Sequence, residues 1–221
     1  MAFFHHHGVR DEALITKRIA LLKDGMALTT DAGVVLPSVL TTKALVAQLR
    51  ALLVGISDFD AAIARVFKTH PDAFIFASLP GAGPTFAPRL LCAFGTQRER
   101  FASAAAFQMY LGIARVTERS GKSIWVHWRW ACPKFLRQSI VEWAGMSRRY
   151  SLWAAAFYAE QRERGKAHHA AIRALAFKWL RILYRCWQER KPYNEVTYLR
   201  ALQERGSPPL QRIAQVPPKA A

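Results

Sequence analysis

Apolar residues recur at alternating spacings of four and three between positions 45 and 66, which is the clearest pattern in the chain. They are Leu45, Leu49, Leu52, Ile56, Phe59, Ile63 and Val66. This repeat places a continuous apolar seam along one side of a helix and is typical of coiled coils. We predict a helix from Ser38 or Thr42, both suitable N-caps, to Thr69. Pairing in an oligomer or with an antiparallel segment is favoured over a role as an ordinary core helix.

Shorter apolar periodicities predict further helices on both sides of this segment. Residues 12–23 form a short amphipathic helix that Gly25 ends, and His70-Pro71 breaks the long helix. The later predicted helices begin at Pro84 and span 104–111, 134–146, 152–164, 167–189 and 194–204. Residues 124–130 alternate imperfectly, as in a short strand or an extended loop. The predicted fold is mainly α, with at most a short strand or hairpin near 124–130.

A glycine-rich turn, Leu79-Pro80-Gly81-Ala82-Gly83, joins two of these apolar segments, and Pro84 suits a first helical position. Two helices joined by Gly-x-Gly form a helix-hairpin-helix pattern. Its glycines let backbone N–H groups approach a phosphate, and the second helix adds partial positive charge at its N-terminus. A tight turn between two core helices has the same sequence, so Gly81 and Gly83 are candidate phosphate contacts only.

The polar segment 117–123 carries the chemistry-bearing residues of the chain. Ser120 lies between Arg119 and Lys122 and beside Gly121, so a phosphodiester held there would meet a hydroxyl. Ser120 is therefore the candidate nucleophile. A serine hydroxyl is weak near neutral pH and needs a base, a metal or strong stabilisation of the pentavalent phosphorus. His127 is the local candidate for a base.

A segment rich in tryptophan and arginine follows the serine. Its tryptophans, Trp125, Trp128 and Trp130, either stack on nucleic acid or fill a core beside the serine loop. Arg129 lies among them and adds positive charge that stabilises a phosphate. The next predicted helix carries Lys134 and Arg137 on its outer face.

The positive charge is concentrated in the second part of the chain. The formal net charge is +17, and residues 81–221 carry 24 Lys/Arg against 8 Asp/Glu. Such a field attracts polyanions, nucleic acid before anionic membrane. The three cysteines form no disulfide framework, and no uninterrupted apolar run approaches a membrane span of about 20 residues. The histidine groups at 5–7 and 168–169 share no helical face, which argues against a metal site there.

Five sequence blocks, in this order, resemble transposases of the insertion-sequence-110 type, which are grouped with the 116 and 902 types. They are Leu79-Pro-Gly-Ala-Gly, Arg100-Phe-Ala-Ser, Tyr110-Leu-Gly-Ile-Ala, Arg119-Ser-Gly-Lys and Pro133-Lys-Phe-Leu-Arg. The resemblance covers most of residues 1–205 and is highly specific in 73–145. In this family a RuvC-like domain with an Asp-Glu-Asp-Asp metal tetrad precedes a long helical segment and a transposase domain. The resemblance places the family's serine nucleophile on Ser120.

The implied organisation is a RuvC-like remnant (1–36), a coiled-coil helix (38–70), a transposase domain (71–205) and a disordered tail (206–221). Nothing in 1–36 supplies the acidic tetrad, so the chain resembles a truncated or split transposase. No cofactor or metal residue is expected in this chain, and Mg²⁺ is expected only with the missing acidic domain. The expected nucleic-acid contacts are Gly81, Gly83, Arg119, Gly121, Lys122, Arg129, Lys134 and Arg137.

The expected function is DNA strand cleavage and transfer during transposition by the Ser120 nucleophile. The alternative is a non-catalytic fragment that binds nucleic acid and oligomerises. Expected partners are DNA, a guide RNA and further copies of the chain bound through the 38–70 helix, with no membrane partner. The expected location is the cytoplasm.

Overall fold

The helix at the start of the described chain has the bounds that its apolar spacing predicts. A computed structural model describes residues 11–26, 28–127 and 129–206, and the histidines at 5–7, Trp128 and the 207–221 tail lie outside this range. Helix α1 (Glu12–Lys23) is capped by Asp11, whose carboxylate accepts a hydrogen bond from Leu14 N–H at 3.0 Å. Only Ile15 of this helix is buried.

The long helix α2 (Ala32–Thr69) begins six residues before the first predicted cap. The Asp31 carboxylate accepts the Gly33 N–H at 2.8 Å, as an N-cap does. The prediction that Ser38 or Thr42 caps the helix is wrong. Their hydroxyls lie inside the helix and donate at 2.7 and 2.8 Å to carbonyl oxygens four residues earlier.

The predicted apolar seam of α2 is exposed along its length. None of the 38 residues of α2 is buried, although the structure describes every one of them. Leu49 and Phe59, for example, are 60% and 72% exposed. An 18-residue window of α2 reaches a mean hydropathy of 1.5, so by length and composition this helix is a candidate membrane span, in contrast to the prediction from sequence. Core helices of proteins in water meet the same criterion.

The chain divides into two compact units, Met1–Phe59 and Asp60–Ala221, with the boundary inside α2. The second unit contains most of the predicted helices, which confirms the mainly α fold class. Its helices are α3 (Ala73–Ala77), α4 (Gly83–Phe94), a 3-10 turn (Arg98–Arg100), α5 (Ala104–Tyr110), α6 (Lys134–Ser147), α7 (Leu152–Glu163), α8 (His168–Glu189) and α9 (Glu195–Glu204). One antiparallel pair, β1 (Val116–Ser120) and β2 (Ser123–His127), lies between α5 and α6.

The core of the second unit is built around α8, which packs against α5, α6 and α7. Four fully buried tryptophans, Trp143, Trp153, Trp179 and Trp187, fill it. Each indole N–H has a hydrogen-bond acceptor, as buried indoles require. Trp179 donates to Ser147 at 2.8 Å, for example. This core holds the helices from which the β1-β2 hairpin projects.

Candidate nucleic-acid interface

The segment around Ser120 forms a β-hairpin with a two-residue turn. The register pairs Val116 with His127 and Ser120 with Ser123, so Gly121 and Lys122 form the turn. Gly121 has φ of 56°, and Arg190 is the one described non-glycine residue with a positive φ. A positive φ at the first turn position alone is the pattern of a type II′ turn, which favours glycine there.

The sequence predicts at most a short strand or hairpin near 124–130, whereas the structure forms two strands, over 116–120 and 123–127. The sequence of β1, Val-Thr-Glu-Arg-Ser, shows no apolar alternation. The structure shows why that signal is missing: from Thr117 to Val126 every residue is exposed, on both faces of the hairpin. Because neither face of the hairpin packs against a core, burial imposes no alternation of apolar and polar residues on its sequence.

Ser120 ends β1 and is exposed at the tip of the hairpin. Alternate residues of a strand point to opposite faces, so Ser120 shares a face with Glu118 and with its cross-strand partner Ser123. Arg119 points to the opposite face, and Lys122 lies in the turn. The tip of the hairpin therefore carries the serine and two cations. The Arg119 side chain lies on the face opposite to the Ser120 hydroxyl.

The structure pairs His127 with a carboxylate that the sequence interpretation did not connect to it. His127 Nε2 lies 2.8 Å from Glu118 Oε1, on the face that Ser120 occupies. Four residues separate His127 from Ser123, which at 3.3 Å per residue places it ~13 Å from Ser120 along the ribbon. His127 is therefore not positioned as the base for Ser120 in this conformation. The two-residue Gly-Lys turn was the signal that would have revealed this cross-strand pair.

Aromatic rings cluster on the hairpin and the segment after it. The ring centroid of His127 lies 4.5 Å from that of Trp125 and 4.7 Å from that of Trp130. Trp125 is 55% exposed and Trp130 68% exposed. The alternative in which these two tryptophans fill a core is wrong. Their exposed rings are instead available for stacking.

The segment before α6 is fixed to the start of that helix. Arg137 Nη1 donates to the carbonyl oxygen of Arg129 at 3.2 Å. These two arginines, both predicted to contact nucleic acid, are therefore neighbours. Within the described residues, Arg129 Nε is buried without a hydrogen-bond partner. Lys134 is exposed at the first position of α6. Arg129 and Arg137 are thus in contact, and Lys134 lies three positions before Arg137 on the same helix.

The two glycines of the 79–83 turn have different surroundings. Both have positive φ, 69° for Gly81 and 52° for Gly83. A Cβ on Gly81 would lie 2.7 Å from Tyr150 Cδ2, whereas a Cβ on Gly83 would meet nothing within 4 Å. Gly81 is therefore needed for packing, and Gly83, exposed at the start of α4, is the glycine open to a ligand.

The Mg²⁺ that is expected with the acidic domain raises the question of whether the described residues group as a metal site. Among the residues that the structure describes, no three His, Cys, Asp or Glu side chains group as a metal site would require.

Comparison with known proteins gives consistent matches. Residues 73–159 match the family described as transposase IS116/IS110/IS902. The mini-circle candidate transposase for IS117 of Streptomyces coelicolor is 35% identical over 152 residues, covering 69% of this chain and 37% of that protein. The insertion element IS900 uncharacterized 42 kDa protein of Mycobacterium paratuberculosis is 28% identical over 86% of this chain and 50% of its own length.

A third relative, the insertion element IS110 uncharacterized 43.6 kDa protein of Streptomyces coelicolor, is 27% identical over 74% of this chain and 42% of its own length. The chain thus spans half or less of the curated relatives that it matches. The matched family segment contains the 79–83 turn, the hairpin and helix α6, which are the elements that carry most of the candidate residues.

Proposed function

Since residues 73–159 belong to the IS116/IS110/IS902 transposase family, we propose that this chain handles DNA and that Ser120 is its nucleophile. The observation that supports this most is the place of Ser120. It is exposed at the tip of a ribbon, next to Gly121 and Lys122, and its hydroxyl has no hydrogen-bond partner within the described residues. A nucleophile that attacks DNA must be accessible to a stiff polymer, and the tip of a projecting hairpin is accessible in this way.

The shape and charge of the hairpin suit double-stranded DNA. The major groove of B-DNA admits a two-stranded β-ribbon. Arg119 and Lys122 lie at the tip, and residues 81–221 carry a threefold excess of basic over acidic side chains. Neutralising phosphates with these cations releases counterions and supplies most of the sequence-independent affinity.

The proposed reaction is a phosphoryl transfer from DNA to Ser120. The Oγ–phosphorus bond forms, one phosphorus–oxygen ester bond of the DNA breaks, and the departing strand end takes up a proton. Lys122, in the turn beside Ser120, stabilises the negative charge that gathers on the phosphoryl oxygens in the transition state, and Arg119, on the opposite face, contributes to the binding of neighbouring DNA phosphates. Removal of the Ser120 proton needs a base, and His127 does not serve as that base in this conformation because it is paired with Glu118.

A covalent-trapping experiment tests the nucleophile. A nicked or otherwise irreversible DNA substrate is incubated with the full chain, and attachment is read on a denaturing gel. We expect attachment to be lost in Ser120→Ala. Ser123→Ala is the matched control, because Ser123 is the exposed serine directly across the ribbon, and it should retain attachment. Attachment that survives in Ser120→Ala would reject the assignment.

A second function, nucleic-acid binding without catalysis, is favoured by one observation. His127 Nε2 is held by Glu118 rather than directed at Ser120. In this role the chain would bind DNA, or a structured guide RNA, with strong salt dependence and equal affinity in Ser120→Ala. Salt-insensitive binding would count against it.

We also propose that α2 assembles copies of this chain. Its exposed seam repeats every three and four residues, which is the spacing that interlocks two helices. Analytical ultracentrifugation of Leu52→Asp should show a smaller species than the unaltered chain. Ala47→Asp adds the same charge away from the seam and should leave the assembly unchanged. Identical sedimentation of both variants, or binding of α2 to liposomes instead of self-association, would reject this role.

A further inference from the structure

A basic cavity lies at the base of the hairpin, at the opposite end of the ribbon from Ser120. Its volume is about 680 Å³, which is within the ordinary range of ligand pockets. It lies between the end of β2 and helices α7 and α8. Among the described residues that line it, none is acidic and six are cations: Arg115, Arg164, Lys166, Arg173, Lys178 and Arg181. These residues are scattered over 67 positions of the sequence and meet only in the fold.

The carboxylates near the cavity compensate only part of this charge. Glu160 is paired with Arg164, and it also favours the charged form of Lys178. Lys166 is hydrogen-bonded to the neutral Gln161. Arg115 and Arg181 have no ion pair within the described residues. Positive charge is therefore in excess on the cavity wall.

Two aromatic rings contact the ammonium of Lys178, in addition to the nearby Glu160 carboxylate. Its ammonium lies 4.7 Å from the ring centroid of Phe157 and 5.5 Å from that of Trp153. Burial lowers the pKa of Lys178 and that of Arg173. The partly buried Lys178 ammonium has given up part of its hydration, and an anion that entered the cavity would stabilise it.

The remaining walls of the cavity are apolar and match a nucleotide better than a bare anion. Ile113, Val126, Phe157 and Phe177 contribute flat or branched apolar surface beside the cations. His127 lines the cavity and also contacts the exposed rings of Trp125 and Trp130, so the stacking surface continues into the cavity. Alternation of cations with stacking surfaces is the pattern of sites that follow a nucleic-acid strand.

We propose that this cavity binds backbone phosphates of a nucleic-acid strand that also runs across Trp125 and Trp130. The proposal deepens the DNA-handling function above and rests on it for the identity of the ligand. It is independent of the role of Ser120, which lies ~13 Å from His127 along the ribbon at 3.3 Å per residue. The cavity is thus an anchoring site, and Ser120 is the reacting site.

The test measures binding of labelled oligonucleotides to the full chain by fluorescence anisotropy over a range of salt concentrations. The double variant Arg115→Gln, Arg181→Gln removes two cations from the cavity wall. Because two phosphates then lack a cationic partner, binding should weaken on the order of tenfold, and the slope of log affinity against log salt should fall by about two. Single-stranded DNA, duplex DNA and single-stranded RNA are compared, and the strand type whose affinity falls most is the ligand.

The matched control, Arg149→Gln with Arg200→Gln, removes the same charge from exposed residues outside the cavity. A smaller change than in the cavity variant supports the proposal, and an equal change overturns it. Lys178→Met keeps the packing on Phe157 and should weaken binding with an unchanged melting temperature; unchanged binding in that folded variant also overturns it. Covalent trapping at Ser120 is measured separately, so failure of the anchor and failure of the nucleophile are distinguishable.

Discussion

Replacing Gly81 by alanine separates the packing role of the 79–83 turn from its proposed contact with phosphate. Gly81 and Gly83 both have a positive φ, so alanine is strained at either position. They differ in space, because an added Cβ at Gly81 would lie 2.7 Å from Tyr150 and 3.2 Å from Met146. Gly83→Ala meets nothing and is therefore the matched control.

The magnitudes follow from these two effects. A left-handed conformation costs a non-glycine residue about 1–2 kcal/mol, and this cost applies to both variants. Overpacking adds about 1–3 kcal/mol. Tyr150 is 66% exposed, so its ring can turn toward solvent, and we expect the lower end of that range for Gly81→Ala. Gly81→Ala should thus be less stable than Gly83→Ala by about 1 kcal/mol, or about 2–4 °C in melting temperature.

Thermal unfolding followed by circular dichroism measures this difference. In a Tyr150→Ala background the closest contact is gone and the one with Met146 at 3.2 Å remains, so the difference between the two glycine variants should become smaller. Equal destabilisation of both variants in the unaltered background would refute the packing argument. DNA affinity should show the opposite order, because Gly83 is the glycine that a phosphate can approach.

Two further predictions concern the interior of the second unit. Asp72→Ala should destabilise by about 3 kcal/mol in urea unfolding, because the Arg98 guanidinium loses the carboxylate that lies 2.6 Å from it and keeps only its hydrogen bonds to backbone carbonyls. Adding Arg98→Met should recover part of this loss, and no recovery would show that the pair is not the cause. Burial raises the pKa of Cys186 to about 11, so roughly one thiol in a thousand is ionised at pH 8. Iodoacetamide should modify the exposed Cys92 first, and faster labelling of the half-buried Cys186 would contradict this order.

The helices of this chain could be predicted from sequence because their apolar residues face a core or form a seam. Helix α1 has the predicted bounds, and α2 ends at Thr69 as expected. The predicted start of α2 lies too far along the chain, because a proline such as Pro37 usually marks a helix boundary. The helix in fact includes Pro37 and begins after the N-cap Asp31. Several polar residues near the start of a helix can each act as an N-cap, and the spacing of the apolar residues does not show which of them is used.

The hairpin and the basic cavity could not be predicted in the same way. Strand β1 has no buried face, so its residues show no alternation. The cavity joins Arg115 to residues of α7 and α8 that are distant in sequence, and periodicity gives no information on such contacts. The exposed position of Ser120 agrees with the sequence interpretation, whereas the pairing of His127 with Glu118 depended on a register that only the fold supplies.

Peptide mapping of the trapped DNA adduct tests the central claim most directly. Trypsin cleaves after Arg119 and Lys122, so it releases Ser120-Gly121-Lys122 separately from the peptide that begins at Ser123. Mass spectrometry should find the nucleotide phosphate on the Ser120 tripeptide and on no other peptide. A nucleotide on the Ser123 peptide, or an adduct formed equally by the Ser120→Ala chain, would contradict the account.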